Sequence, residues 1–84
     1  ELIGIVSQEV GEGRYLIGQK NRVFPGDKLK IMRPTGDIIE TTITAFKDEQ
    51  GNDIEVANKA AMNFTAHSTE KLYQNDILIM EKEG

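Results

Sequence analysis

The chain reads as an all-β protein, a small closed or partly open β-barrel of about six or seven short strands. Turn clusters punctuate it: Gly11-Glu12-Gly13, Pro25-Gly26-Asp27, Pro34-Thr35-Gly36-Asp37 and Gln50-Gly51-Asn52. Glycine takes positive φ without steric cost, and proline presets the first central position of a turn. Between the clusters lie short apolar, β-favouring runs that return about every 8–14 residues, the spacing of an all-β sandwich or barrel. Several runs also alternate in polarity, as strands with one wet face should.

Taken in order, the expected strands are residues 2–7, 15–19, 28–32, 38–46, 54–56, 62–66 and 77–80. The first is apolar on both sides, which fits a strand near the barrel's centre or one covered by a partner. In the third, Leu29 and Ile31 point inward while Lys28 and Lys30 point out. In the fourth, Ile39, Thr41, Ile43 and Ala45 share a face. Met62, Phe64 and Ala66 repeat at spacing two. Residues 56–62 are the one stretch that reads as a helical turn. Phe64, Met62, Ile31, Leu29, Val6 and Phe46 are the expected core. The sequence shows no internal repeat, low-complexity segment or linker.

Eighty-four residues form one domain, large enough for a compact core but short of volume for a deep active-site cavity. Residues 1–84 are therefore expected to be a single accessory domain. Because the sequence begins at Glu1 instead of Met, it is expected to be a fragment of a larger protein. There is no cysteine, so thiol nucleophiles, disulfides and thiolate-held metals are excluded. No apolar stretch approaches the ~20 residues of a membrane helix, and no signal peptide is evident. A cytoplasmic protein without membrane contact is the expectation.

The net charge of −4 is unevenly spread. Residues 14–33 hold six bases, Arg14, Lys20, Arg22, Lys28, Lys30 and Arg33, against one acid, Asp27. A charge run of this kind is usually a solvated face. Its functional reading is a binding patch for an acidic protein surface or an RNA backbone.

Catalytic groups are not assembled by the sequence. His67, the single histidine, has no partner at a suggestive spacing, and it reads as a surface residue near a turn. Ser7 and Ser68 lack a base. The stretch 48–53 has the letters of a calcium loop, but its glycine follows Asp48 by three positions and residue 57 is alanine where a glutamate is required. A hairpin turn explains the same letters. No catalytic residue, metal site or cofactor is expected in this domain.

The run Asn21-Arg22-Val23-Phe24-Pro25-Gly26-Asp27-Lys28-Leu29-Lys30-Ile31, followed by Pro34-Thr35-Gly36, resembles a motif of translation-factor-like barrels, in which a Gly-Asp turn launches a strand. A wider pattern joins Gly4-Ile5-Val6, Gly13-Arg14, Asn21 and Phe24 to residues 48–52, 54–62 and Asn75-Asp76-Ile77-Leu78. This order resembles the C-terminal domain of the collagenase-like peptidase family U-32, over about residues 3–79. The resemblance implies parent proteins that act as proteases, with relatives in RNA hydroxylation or quinone biosynthesis. It places their catalytic and cluster-binding residues in a larger preceding domain, so none carries over here. The chain departs from the family's His-Pro-Met run at Lys59-Ala60-Ala61-Met62 and from its late arginine at Ile79. The resemblance implies a non-catalytic accessory domain, the C-terminal fragment of such a peptidase, partnered by the catalytic domain of the same polypeptide and aiding substrate recognition or assembly. The alternative is an RNA-binding barrel of an RNA-modifying relative.

Overall fold

A computed structural model describes residues 1–58 and 62–80. Six strands follow one another: β1 (Leu2–Gly11), β2 (Arg14–Gln19), β3 (Lys28–Met32), β4 (Ile38–Lys47), β5 (Asn63–Ser68) and β6 (Ile77–Ile79). They close into a barrel in the order β1-β2-β5-β4-β3-β6, each antiparallel to both neighbours. No helix occurs among the described residues. The all-β barrel expected from turn spacing and alternation is the fold found.

Alternation fills the interior. Tyr15 and Ile17 of β2, Leu29 and Ile31 of β3, Phe64 and Ala66 of β5, and Leu78 of β6 are buried, joined by Ile3, Val6, Ile43 and Phe46. Across the β2–β5 ladder Tyr15 lies opposite Ala66 and Phe64 opposite Ile17. The Phe46 and Phe64 rings pack at 4.8 Å, tilted by 41°. Five of the six expected core residues are buried, while Met62 is half-buried and packs against the core from outside.

Other expectations are corrected. Residues 54–56 form no strand; the chain there makes only isolated bridges, Asp53 to Lys47 and Ala57 to Val23. The bridges at Asp53 and Ala57 go to different partners, so no two consecutive pairs build a ladder there. Ala57 is extended and buried, and the rest of the expected helical turn includes residues 59–61, which lie outside the described residues. Ala45 does not share the inward face of Ile43. It is exposed at φ +55°, inside an irregularity between Thr44 and Lys47 that turns Phe46 inward instead. Such a bulge sharpens strand bending, and β4 must bend because its first half pairs with β3 and its second with β5.

The structure also shows a symmetry of strand order that has no counterpart as a repeat in the sequence. Exchanging β1 with β4, β2 with β5 and β3 with β6 maps the ring of strands onto itself. The turns that launch β3 and β6 match bond for bond. Phe24 N–H donates to Asp27 Oδ2 at 2.9 Å and Asp27 N–H to Phe24 O at 3.1 Å. Tyr73 N–H likewise donates to Asp76 Oδ2 at 2.9 Å and Asp76 N–H to Tyr73 O at 3.0 Å. Gly26 (φ +92°) and Asn75 (φ +73°) hold the left-handed position. Their N–H groups donate to Ile43 O and Val6 O, at 2.7 and 2.9 Å, on the matching strands β4 and β1.

Candidate interaction surface

The barrel's outer wall has two contrasting seams. Along β2–β5 the outward positions pair Arg14 with His67, Leu16 with Thr65 and Gly18 with Asn63. This seam is mostly polar: Arg14 Nη1 donates to Thr65 Oγ1 at 2.9 Å. His67 is exposed, as the sequence suggested, and lies against the β1–β2 turn at Gly13. A Cβ at Gly13 would sit 2.9 Å from His67 Nε2, and the residue's φ is +70°, so both space and backbone ask for glycine there.

The opposite seam is apolar. Inward Leu29, Ile31 and Leu78 leave the alternate positions outside, and register places these side by side across four strands. Ile38 pairs with Met32, Met32 with Ile77, and Ile77 with Ile5. In the next row Glu40 pairs with Lys30, Lys30 with Ile79, and Ile79 with Leu2. Ile38 is 61% exposed, Met32 42% and Leu2 38%, while Ile5, Ile77 and Ile79 are half-buried. Six aligned aliphatic residues on an outer wall make this the candidate interaction surface. It also explains why the first run is apolar on both sides: Ile3 and Val6 enter the core, and Leu2 and Ile5 join this wall. The chain's start lies at its margin, with Glu1 N donating to Met80 O at 2.8 Å and Met80 N to Glu1 O at 2.9 Å.

The six bases of the basic segment are not gathered on one wall. Arg14 stands on β2, and Lys28 and Lys30 stand on β3. In the ring these strands are separated by β1 and β6 one way and by β5 and β4 the other. Lys20 and Arg22 lie in the β2–β3 connection, where the Arg22 guanidinium sits 5.9 Å from the Phe24 ring centroid. Arg33 is occupied structurally. Its Nε lies 3.3 Å from Asp76 Oδ2, its Nη2 donates to Lys71 O at 2.6 Å, and its guanidinium stacks 5.0 Å from Tyr73. Asp76 is 1% exposed, and its other oxygen, Oδ1, is buried without a partner. This pair ties the end of β3 to the turn that launches β6. In the sequence Asp76 reads only as a turn residue, because an arginine 43 positions away gives no local signal.

The remaining candidates serve the fold. Ser68 Oγ is within 2.7 Å of Thr41 Oγ1 and donates to Glu70 O at 2.7 Å, so it is a buried structural hydroxyl. Asp48 Oδ1 accepts from the N–H groups of Gln50 and Asn52, each at 2.9 Å, and Gly51 has φ +83°. That is the hairpin turn the sequence suggested in place of a calcium loop. Among the described residues no three His, Cys, Asp or Glu side chains converge as a metal site.

Comparison with known proteins agrees with this geometry. The family model described as "Peptidase family U32 C-terminal domain" matches residues 1–78. Two crystal structures of the C-terminal domain of a "putative U32 peptidase" from Geobacillus thermoleovorans have the same fold. One, a selenomethionine variant, superposes with a TM-score of 0.82 at 23% identity, covering 93% of this chain and 96% of that one. The other gives a TM-score of 0.85 at 23% identity, covering 98% and 93%. No curated protein matches the chain.

Proposed function

This chain belongs to the family of U32 peptidase C-terminal domains, and from that premise we propose that it is a non-catalytic accessory barrel of a U32-family peptidase. It docks on the larger part of such a polypeptide through the apolar wall of β4-β3-β6-β1 and helps assemble the enzyme or present its substrate. The observation that carries this reading is the alignment of Leu2, Ile5, Met32, Ile38, Ile77 and Ile79 on one outer face. A segment preceding Glu1 would emerge beside that face, since Glu1 is held to Met80. A tethered partner there has a high effective concentration, so a modest apolar contact suffices for docking.

The test uses a U32 polypeptide carrying this barrel behind its larger domain. Met32→Glu with Ile38→Glu should leave the barrel's own melting temperature within a few degrees, because both side chains are already wet. It should detach the barrel from its partner, seen as new protease-sensitive sites between the two and lost peptidase activity. Unchanged protection and activity in the double variant would refute the docking wall.

A further inference from the structure

We propose that the outer edge of β1 over Ser7–Gly11 is a strand-acceptor site, which takes an extended peptide of basic character as an added antiparallel strand. The barrel is closed by β1–β6 pairing, but that ladder covers only the first half of β1. It runs from Leu2–Ile79 to Ile5–Ile77, and continues as far as Val6 N–H to Asp76 O and Asn75 N–H to Val6 O. Beyond Val6, β1 runs on to Gly11 paired with β2 alone. Residues 7–11 are all exposed, and among the described residues no backbone group from elsewhere meets their second edge.

The other half of the molecule shows what such an edge accepts. β4 matches β1 under the pseudo-twofold, and its second half pairs with β5 as β1 pairs with β2. There the second edge is occupied. Lys47 bridges Asp53 in antiparallel sense, Ile54 N–H donates to Phe46 O at 3.1 Å, and Asp48 N–H donates to Asn52 O at 2.9 Å. The occupant is an extended piece of the β4–β5 connection. The β1–β2 connection is only Glu12 and Gly13, with no chain to fold back. The fold thus builds the same ledge twice and fills it once.

Unpaired N–H and C=O groups along a strand are a template for strand addition. The irregularities between Val6 and Gln8 and between Glu9 and Gly11 twist this edge and limit the acceptor to a few residues, which suits a peptide and opposes open-ended sheet growth. Glu9 and Glu12 are the charged groups of the segment, with no base between residues 7 and 12, so Lys or Arg on the incoming strand is favoured. This site is separate from the apolar wall and does not depend on it.

The test titrates this chain with a capped peptide alternating Lys with Thr and Val, up to ~1 mM, the weak end of specific recognition. The control is the same peptide N-methylated at every residue. Amide exchange in the Ser7–Gly11 segment should slow on the order of tenfold at saturation. The N-methylated peptide should give no protection, because it cannot donate along either edge. Glu9→Lys with Glu12→Lys should weaken binding by about threefold or more, the scale of exposed ion pairs. Three outcomes overturn the proposal: no protection at the highest concentration, equal protection from the methylated peptide, or protection confined to β3 and β6.

Discussion

In the first half of the barrel β1 turns into β2 through Glu12 and Gly13, whereas in the second β4 reaches β5 through residues 48–62. The turns that launch β3 and β6 match, yet their aspartates live differently. Asp27 is half-buried, while Asp76 is buried against Arg33. Close approach also differs. At Gly4 a Cβ would lie 2.7 Å from Gly18 O, so β1 and β2 meet with no room for a side chain. Thr41, two positions before Ile43 as Gly4 is before Val6, keeps its side chain and places Oγ1 within 2.7 Å of Ser68 Oγ. One topology is thus finished by backbone proximity on one side and by a buried hydroxyl pair on the other. The symmetric frame fixes where strands run; the broken symmetry decides which surfaces and edges stay open.

The largest expected effect tests whether the two halves share one core. Phe64→Ala should cost about 3–5 kcal/mol, because the ring is buried, stacks on Phe46 and sits opposite Ile17 of the other half. For a domain this small that is a large share of the total. Urea denaturation followed by circular dichroism should show one transition moved to much lower denaturant. Two separated transitions would mean that the halves fold independently.

A smaller effect separates the two launching turns. Asp76→Ala should destabilise by ~3 kcal/mol, since it removes the acceptor for Tyr73 N–H and leaves the part-buried Arg33 without its carboxylate. Asp27→Ala loses the same turn bond, from Phe24 N–H, at a more exposed site, and should cost about 1 kcal/mol. The comparison is read from midpoints of the two variants under identical conditions. Equal losses would show that the turn bond, and not the Arg33 pair, accounts for Asp76.

What the sequence made legible followed local rules. Turn residues and period-two alternation located all six strands, because Leu29, Ile31, Phe64 and Ala66 obey them without tertiary help. The family likeness rested on the same turns. The symmetry was hidden because residues 24–31 and 73–80 share only Asp and Leu at matching positions, while the conformations they adopt agree through different chemistry: Gly26 and Asn75 both tolerate positive φ. The apolar wall was hidden because it is a property of register. Met32, Ile38 and Ile77 are scattered along the chain and become neighbours only through three ladders. The basic segment is the opposite case, since Arg14 and Lys28 are close in sequence but stand on strands that the ring holds apart.

The smallest expected effect concerns how each half bends its long strand. β1 bends through two irregularities with no residue at positive φ between Leu2 and Gly11, but β4 bends at Ala45, φ +55°. A non-glycine residue in the left-handed region costs roughly 1–2 kcal/mol. Glycine would remove that strain, yet it frees the unfolded chain, which offsets about 0.5–1 kcal/mol of the gain. Ala45→Gly should therefore be neutral to stabilising by ~0.5 kcal/mol, whereas glycine at the exposed Glu9 of β1 should destabilise by about 0.5–1 kcal/mol. Thermal melts of the pair decide it. If Ala45→Gly destabilises as much as the β1 substitution, the left-handed backbone at Ala45 is not where β4 stores its bend, and the two long strands bend by the same means after all.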